Sequence, residues 1–405
     1  MGLPFRRRPL GGRATIVLLA GTLAMLSGRA IADPQLMIAR SFVTPRPAVN
    51  ASNPLLRVLL LQSSVIAPVA LGGPLRLLDE QERELMIVPA GERLRIRREG
   101  LEMILERPDS PDPLQAAPQR LALQRLSLEP AAAGAALTEA PGRSSGGISQ
   151  ALGLASTGSA SRAMGLVGLG RRAYRGSLLL RPESGSLQAL NLIPLELYLP
   201  SVVGSEMPAR WPAAALRAQA VAARTYALAQ LKPAAAFDLR ATVASQAYLG
   251  VEAETDSTRA AVAATRSLVL SFGGALIDAV FHSSSGGSTE NSGDLWNRQL
   301  PYLVSVPDPD DSSPWREWSQ RFEPAQLRRA FRETDGASRI EVLDTSSSGR
   351  VRRARVIGPA GSLDLSGTEL RQRLGLRSTL VRFRFEEPAP SPLTTAAASG
   401  QAIGG

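Results

Sequence analysis

The chain has 405 residues, which is enough for two or three domains of ordinary size. Hydrophobic residues make up 44% and charged residues 20%, which is typical of a folded globular protein. The net charge is +10, but no basic tract is interleaved with aromatic residues, so nucleic acid is not an expected partner, and the lack of cysteine excludes disulfides, thiolate metal sites and cysteine nucleophiles.

Residues 1–32 have the pattern of a cleaved signal peptide. An apolar run, Ala14–Leu26, precedes the small-x-small sequence at Ala30–Ala32. Five arginines in this segment carry half of the net charge: Arg6, Arg7, Arg8, Arg13 and Arg29. The alternative is a retained membrane anchor, but the apolar run is shorter than the roughly 20 residues of a spanning helix. We therefore expect export, with no stable membrane span after cleavage.

The rest of the chain changes character three times. Residues 33–107 contain short apolar runs separated by Gly and Pro, which predict a small β-rich unit. Residues 108–170 are rich in Pro, Ala, Gly and Ser, which indicates a low-complexity linker or insertion. Residues 171–387 are predicted to form one mixed α/β (α+β) domain, and residues 388–405 a disordered tail.

Within the predicted domain, "SLLLRP" and "LQALNLI" predict two strands joined by a Ser-Gly turn, and "PLELYLPSVV" a short helix or turn. An alanine-rich helix is expected from Pro212 to Leu231, because Pro suits a first helical position and Pro233 stops the helix. A second helix follows in "STRAAVAATRS", then a strand from Ile277 to His282. A hairpin, a helix opened by Ser366 or Thr368 and a closing strand complete the domain.

Glu206 stands just ahead of the alanine-rich helix, beside Met207 and Trp211. Apolar neighbours would desolvate its carboxyl group and favour the protonated form, which suits a group that protonates a glycosidic oxygen. The alternative is a solvated glutamate that is stabilised by the positive end of the helix dipole.

The only histidine, His282, lies in the polar loop "FHSSSGGSTENS". A Ser/His hydrolase is one interpretation, although the G-x-S-x-G elbow is absent. A Gly/Ser turn after a strand and a loop that hydrogen-bonds a sugar are the others. One histidine and no cysteine leave few ligands, so no metal is expected, and "VPDPDDSS" is interpreted as a solvated acidic turn.

Four stretches occur in the order of a known family: "LELYLPSVVGSEMPARWPAAALRAQAVAARTYAL", "ASQAYLGV", "FHSSSGGSTENSGDLW" and "LSGTELRQRLGLRS". The chain resembles the stage II sporulation protein D (SpoIID) and amidase-enhancer LytB family over residues 174–385. The resemblance implies a mixed α/β fold, no cofactor, and a place outside the membrane in the periplasm or cell wall. It also implies peptidoglycan lytic transglycosylase activity, with Glu206, in the S-E-M-P motif, as the catalytic acid/base.

The resemblance further places a substrate groove at eight residues: Arg224, Tyr226, Gln246, Tyr248, His282, Ser283, Ser284 and Ser285. Peptidoglycan glycan strands are the expected partner, and a cell-wall amidase the second. A non-catalytic wall-binding protein that stimulates an N-acetylmuramoyl-L-alanine amidase is the alternative function. The family commonly has a glutamate where this chain has Ala214, so any support from that residue is missing.

One glutamate is sufficient for a lytic transglycosylase, because the muramic 6-hydroxyl is the nucleophile and closes a 1,6-anhydro ring. An ordinary glycosidase needs a second carboxylate about 5 to 9.5 Å away. For that role the sequence offers only nominal candidates, Asp238, Asp256 and Glu290.

Overall fold

The structure is a computed structural model, and it describes most of the chain. The described residues are 44–47, 53–131 and 165–385, without 297 and 312. The predicted signal peptide, the middle of the predicted linker (132–164) and the predicted tail lie outside them. The chain divides into two compact units, and the boundary falls between Ser284 and Ser285.

Most strands of the described chain belong to the first unit. They are β1 (Thr44–Pro47), β2 (Leu55–Ser63), β3 (Val65–Ile66), β4 (Pro68–Leu71), β5 (Leu75–Leu78), β6 (Glu84–Val88), β7 (Arg95–Glu99), β8 (Glu102–Glu106), β9 (Gln119–Leu121), β10 (Leu126–Pro130), β11 (Leu166–Leu169), β12 (Arg172–Tyr174), β13 (Ser177–Glu183), β14 (Ser186–Pro194), β15 (Leu239–Arg240), β16 (Leu268–Phe272) and β17 (Ala275–Leu276).

Seven of these strands form one sheet in the order β15-β2-β14-β13-β10-β5-β6. Its neighbours are antiparallel except for β15 and β2. Smaller sheets have the orders β3-β7-β8-β9, β12-β11-β4 and β1-β16-β17. The N-terminal strands β2, β5 and β6 therefore share a sheet with β13 and β14, which the sequence places in the following domain.

The predicted hairpin is present as β13 and β14, and Ser184 and Gly185, at its turn, have φ of 42° and 81°. The predicted linker differs from the structure between residues 119 and 130, which form β9 and β10. In β10, Leu126 and Leu128 are buried and pair with β13 on one side and β5 on the other. Five strand residues in a polar context give too weak a periodicity to detect.

The described residues of the first unit contain the helices α1 (Pro113–Ala116), α2 (Leu195–Glu206), α3 (Ala213–Ala229) and α4 (Asp256–Ala264). The predicted alanine-rich helix is α3, which follows Pro212 as N-cap and ends before Gln230. The segment "PLELYLPSVV" belongs to α2, a helix of 12 residues. Helices α2, α3 and α4 contact one another, and their apolar faces join the core under the seven-stranded sheet. A mixed α/β fold with a β-rich N-terminal part is thus confirmed.

Two predicted strands are not formed. Residues 277–282 have no strand assignment, and the short β17 precedes them; the predicted closing strand after Ser378 is likewise irregular as far as residue 385. Each stretch has only an isolated backbone hydrogen bond to a strand among the described residues, from the Ile277 N–H to the Leu270 carbonyl oxygen and from the Val351 N–H to the Thr379 carbonyl oxygen.

Between residues 285 and 385, where the structure describes the second unit except for 297 and 312, one sheet and three short helices are formed. They are β18 (Arg339–Thr345), β19 (Val351–Gly358), β20 (Gly361–Ser366), α5 (Ser292–Trp296), α6 (Pro324–Ala330) and α7 (Gly367–Leu374). The predicted hairpin corresponds to β19 and β20. Ser366 is the N-cap of α7: its hydroxyl accepts from the Glu369 N–H at 3.2 Å, and the Glu369 carboxylate accepts from the Ser366 N–H at 2.9 Å.

Within the described residues, no helix combines the length and the apolar character that crossing a bilayer requires.

Gly204 sets how closely α2 approaches the 3₁₀ turn Val251–Ala253. A Cβ atom at Gly204 would lie 1.8 Å from the Ala253 carbonyl oxygen. Ser201, one turn earlier, donates a hydrogen bond of 2.7 Å to the Gly250 carbonyl oxygen. The glycine two residues before Glu206 therefore lets the end of α2 lie directly against this turn.

We expect Gly204→Ala to destabilise the protein by about 1–3 kcal/mol, because the new methyl group overlaps backbone that cannot rotate away. Thermal unfolding followed by circular dichroism measures the effect. Gly73→Ala is the matched control, since a Cβ atom there meets only ordinary contact, at 3.6 Å from the Gly165 Cα. An equal melting temperature for the two variants would contradict the close packing of α2.

Candidate active site

Glu206 is the last residue of α2. Pro208 disfavours helical geometry in the residue before it, and Met207 is extended, with φ −139° and ψ 138°. The helix therefore ends at the carboxylate. The carboxylate lies at the negative end of α2, where the helix dipole disfavours a negative charge, whereas the sequence-based alternative placed it at the positive end of a helix.

The Glu206 side chain is half-buried, and it has one backbone donor. Burial raises the pKa of Glu206, and the hydrogen bond from the Ala247 N–H opposes that rise only in part. This bond joins the Ala247 nitrogen to Oε1 over 2.8 Å. Desolvation therefore favours the protonated acid, while the single donor fixes one oxygen and leaves the other for a ligand.

Three consecutive residues, Ser245, Gln246 and Ala247, make up what we term the 245–247 segment. Gln246 accepts a hydrogen bond of 3.1 Å from the Tyr198 hydroxyl and donates one of 3.2 Å to the Ala223 carbonyl oxygen. Gln246 is 0% exposed, so a polysaccharide has no access to it. We therefore interpret it as the support that holds the Ala247 N–H against Glu206, not as the substrate contact that the sequence predicted.

Tyr248 anchors this segment in the core. Its hydroxyl donates to Asn191 Oδ1 at 2.8 Å, and Asn191 donates to the Arg175 and Ser177 carbonyl oxygens. The Tyr248 ring packs against Tyr198, with ring centroids 4.8 Å apart. Tyr248 is 1% exposed, so it too lies beneath the predicted groove and does not line it.

Arg224 is also fully buried, at 0% exposure. Its guanidinium forms a two-point ion pair with Glu196, with distances of 2.7 Å from Nε to Oε1 and 3.0 Å from Nη2 to Oε2. The remaining donors reach the Val262 and Leu268 carbonyl oxygens at 3.2 and 3.3 Å. Arg224 thus joins α2, α3, the end of α4 and β16, and burial corrects its predicted contact with substrate.

Tyr226 is the member of the predicted groove on α3 that remains half-buried. Burial raises the pKa of Tyr226; the charge of Asp278 adds to the rise, and a hydrogen bond with Ser245 opposes it. Burial also raises the pKa of Tyr198, with further contributions from Glu206 and Tyr226. Tyr198 therefore lies within electrostatic range of both Glu206 and Tyr226.

The predicted polar loop spans the boundary between the two units. His282 and Ser283 are exposed and Ser284 is half-buried in the first unit, whereas Ser285 is buried in the second. The Ser285 hydroxyl donates to Asp308 Oδ2 at 2.5 Å, and its N–H donates to Asp310 Oδ2 at 3.1 Å. The acceptor for this serine is a carboxylate, which differs from the serine–histidine pair of the hydrolase interpretation.

The acidic run in "VPDPDDSS" is more than the solvated turn that was expected. Asp310 is 5% exposed, and its Oδ2 also accepts from the Gly286 N–H at 2.8 Å. The acidic run therefore holds the Ser-Gly loop of the second unit in place.

None of the nominal second carboxylates has the character of a catalytic base. Hydrogen bonds from Arg57 hold the pKa of Asp238 below its ordinary value, although burial alone would raise it. Asp256 faces solvent in the first turn of α4. Glu290, in the second unit, accepts from the Ser346 and Ser348 hydroxyls at 2.5 and 2.6 Å.

Over the described part of the chain, no group of three or more His, Asp or Glu side chains is arranged to hold a metal ion.

Sequence reasoning missed Tyr198, the Ala247 N–H, Glu196 and Asp278. Tyr198 lies eight residues before Glu206 on the same helix, a spacing that places two residues near one face and could have been noticed. The Ala247 N–H has no sequence signature, since any residue except proline supplies one. Asp278 lies in what was predicted to be a strand, where a single acid looks like an outward-facing residue.

The fold and the site thus define a mixed α/β protein with one desolvated carboxyl group at the end of a helix. Residues 183–272 match the SpoIID family, described as "Stage II sporulation protein". This match and the curated relatives support the SpoIID and amidase-enhancer (LytB) family.

Curated relatives show the same similarity. Stage II sporulation protein D of Bacillus subtilis (strain 168) is 29% identical over 54% of this chain and 67% of its own length. The protein of that name from Bacillus amyloliquefaciens is 31% identical over 46% of this chain and 59% of its own. The amidase enhancer of Bacillus subtilis (strain 168) is 39% identical over 32% of this chain, but the match covers only 17% of that protein. These relatives support a cell-wall-related role.

Because the pKa of Glu206 is raised in the folded state, Glu206→Gln should stabilise the protein in a pH-dependent way. Below the unfolded pKa, about 4.3, both states are protonated and the variant gains nothing. As pH rises through the raised folded pKa, the wild type loses stability that the neutral glutamine retains.

The melting-temperature difference between Glu206→Gln and wild type should therefore grow from pH 4 to pH 8. Scanning calorimetry across this range measures it. Asp256→Asn, which removes an exposed carboxylate, is the control and should show no such gain. A difference that stays constant with pH would mean that Glu206 is as well solvated in the folded as in the unfolded state.

Removing Arg224 should leave Glu196 without its partner and cost about 3–5 kcal/mol. We expect Arg224→Leu to melt far below wild type, while Arg217→Ala, at an exposed position of the same helix, changes the melting temperature little. Thermal unfolding separates the two. If Arg224→Leu kept wild-type stability but lost affinity for glycan, the residue would be a substrate contact after all.

Proposed function

We propose that this chain is an exported peptidoglycan lytic transglycosylase with Glu206 as its single acid/base. The observation that carries the proposal is the environment of this carboxyl group: half-buried, with a raised pKa, and held by one backbone N–H. It occupies the S-E-M-P motif inside the region that matches the SpoIID family. A carboxyl group whose pKa is raised donates its proton to a leaving oxygen more readily at a given pH above its ordinary pKa than a solvated glutamate, because more of it is protonated.

The reaction needs no group beyond the substrate and this carboxyl. The glycan strand binds with the bond between N-acetylmuramic acid and N-acetylglucosamine beside Glu206. The bond between C1 of the muramic residue and O4 of the glucosamine residue breaks, and the Glu206 proton moves to O4. The muramic 6-oxygen forms a bond to C1, and its proton moves to the Glu206 carboxylate. The product has a 1,6-anhydro end, and Glu206 is again protonated.

The state of the other carboxylates supports this route over ordinary hydrolysis. A hydrolase requires a second carboxylate that is free to activate water or to attack C1. Asp238 is bound by Arg57 through two side-chain hydrogen bonds, and Asp256 faces solvent. With the sugar's own hydroxyl as nucleophile, one acid/base suffices.

The second candidate is a non-catalytic protein that binds the wall and stimulates an N-acetylmuramoyl-L-alanine amidase. Its support is the 39% identity to an amidase enhancer over 129 residues. In that case glycan strands and the amidase are both partners, and the Glu206 region is a binding surface. Either function places the protein in the periplasm or cell wall.

Purified glycan strands incubated with the protein distinguish these functions, with mass spectrometry as the measurement. We expect wild type to release fragments with 1,6-anhydro ends and Glu206→Gln to be slower by at least about a hundredfold, because the variant has no proton to donate. Asp256→Asn is the matched control and should retain wild-type activity.

Equal activity of Glu206→Gln and wild type would exclude Glu206 as the acid. If wild type formed no 1,6-anhydro ends but accelerated a purified amidase on intact peptidoglycan, the second candidate would replace the first. Circular dichroism of each variant checks that a loss of activity does not result from unfolding.

A further inference from the structure

A cavity of about 130 Å³ lies beside the first turns of α3 and α4, and we term it the Trp211 cavity after the aromatic residue that lines it. Of its other lining residues, Leu216 and Ala261 are buried, whereas Arg217 and Ala260 are exposed. The cavity therefore has an apolar floor and opens to solvent at its rim. An apolar cavity of about 150 Å³ holds a benzene molecule, so this one has room for a group of about five or six non-hydrogen atoms.

The uncommitted polar groups that line the Trp211 cavity are hydrogen-bond donors. Within the described part of the chain, neither the Arg217 guanidinium nor the Trp211 indole N–H has a partner. The Ser257 hydroxyl already donates to the Ala209 carbonyl oxygen at 2.9 Å. No acid is among the described residues that line the cavity. Because arginine and tryptophan side chains cannot accept hydrogen bonds, a ligand has to bring acceptors, and Arg217 attracts a negative charge on it.

The start of α3 adds to this positive character. Pro212, its N-cap, offers no side-chain acceptor, and the first turn of the helix contains no acid. No side chain of that turn therefore compensates the partial positive charge at this end of α3. The first turn of α4 does contain an acid, Asp256, but its carboxylate is paired with Arg259 at 2.6 Å. The charges around the cavity thus favour an anion.

The Trp211 cavity is connected to the turn that carries Glu206. Trp211 follows Glu206 by five residues, so the Cα atoms of the two lie at most about 19 Å apart. The carbonyl oxygen of Ala209, between them in the sequence, accepts the hydrogen bond from Ser257 in the first turn of α4. This bond holds the chain that joins Glu206 to Trp211 against one wall of the cavity. A polymeric strand bound at Glu206 can therefore also reach the cavity.

The substrate of the proposed function presents a group of matching size and charge. A glycan strand alternates N-acetylmuramic acid and N-acetylglucosamine, and the two sugars share their ring and their acetamido group. They differ at O3, where muramic acid carries a lactyl ether that consists of one CH, one methyl and one carboxyl group. Glu206 has to meet the bond on the muramic side only, because the other bond cannot yield a 1,6-anhydro muramic end. An enzyme that cuts one bond of the alternating pair has to distinguish the two sugars, and the lactyl group is their difference.

We propose that the Trp211 cavity is a subsite that recognises a muramic residue of the bound strand by its lactyl group. The lactyl methyl lies on the apolar floor, and the carboxyl oxygens accept hydrogen bonds from Arg217. The inference rests on the proposed function, which supplies the glycan strand as substrate. Binding of this group fixes which sugars of the strand occupy the site, so Arg217 is a specificity-determining residue and takes no part in the covalent step.

Isothermal titration calorimetry with three ligands of equal length tests the proposal. They are peptide-free glycan strands, the same strands with their lactyl carboxyl groups converted to neutral methyl amides, and chitin oligosaccharides, which have no lactyl groups. We expect the wild type to bind the free-acid strands at least about tenfold more tightly than the other two, because a charged hydrogen bond is lost in both. Arg217→Met should lose this preference and bind all three ligands with similar affinity.

Arg210→Met is the matched control for the loss of charge, because Arg210 is an exposed arginine of the same segment that does not line the cavity. Ala260→Leu fills the cavity from an exposed position of α4 and should weaken the binding of free-acid strands by about tenfold. Ala263→Leu, at an exposed position of the same helix outside the cavity, should bind like the wild type. Circular dichroism checks that every variant is folded.

Equal affinities of the wild type for glycan strands and chitin oligosaccharides would overturn the inference, and so would wild-type binding by Arg217→Met or Ala260→Leu. Intact peptidoglycan strands carry peptides on their lactyl groups. If such strands bound more tightly than the peptide-free ones, and Arg217→Met lost that advantage, the cavity would bind a carboxylate of the peptide and the lactyl assignment would be wrong.

The formation of 1,6-anhydro ends measures the proposed function separately. If wild type forms these ends while Arg217→Met keeps the wild-type preference for free-acid strands, only this inference fails. If no ends form but the preference is present and depends on Arg217, the catalytic proposal fails and the lactyl subsite stands.

Discussion

The buried ion pair between Arg224 and Glu196 is the interaction on which the first unit's helical layer depends. A charged pair removed from water is costly unless its geometry is good and its other donors are satisfied. Both conditions hold, since the guanidinium meets both carboxylate oxygens and also reaches the Val262 and Leu268 carbonyl oxygens. Because Glu196 is in the first turn of α2, the pair fixes the start of the helix whose last residue is Glu206.

The helices around this pair are built for close approach. The face of α3 that enters the core is mostly alanine, and Gly204 of α2 lies directly against the Ala253 carbonyl oxygen. Small side chains let the backbones of neighbouring elements approach closely. Backbone N–H and carbonyl groups can then form hydrogen bonds with side chains of the neighbouring element. Glu206 is held by a backbone N–H in this way, and Gln246 is held by the Ala223 carbonyl oxygen. The alanine-rich sequence is therefore a requirement of the site as well as of the packing.

The polar residues near Glu206 fall into two layers with different roles. Arg224, Gln246 and Tyr248 are closed to solvent, and each completes a hydrogen-bond network that holds a neighbouring element. Glu206 and Tyr226 are half-buried, so they combine a desolvated environment with access for a ligand. Sequence motifs cannot separate these layers, because a buried support and a substrate contact are equally polar.

The sequence by itself determined the mixed α/β class, the β13–β14 hairpin, the alanine-rich helix and a helix opened by Ser366 or Thr368, because periodicity, proline positions and capping residues act over a few neighbours in the chain. It also singled out Glu206 through the motif around it. Only the tertiary structure decided that Glu206 ends a helix, that β10 belongs in the large sheet, and that Arg224 pairs with Glu196. The two partners are 28 positions apart in the sequence, and Glu206 and Ala247 are 41 positions apart. Packing of the whole unit brings each pair together, and no local pattern encodes it.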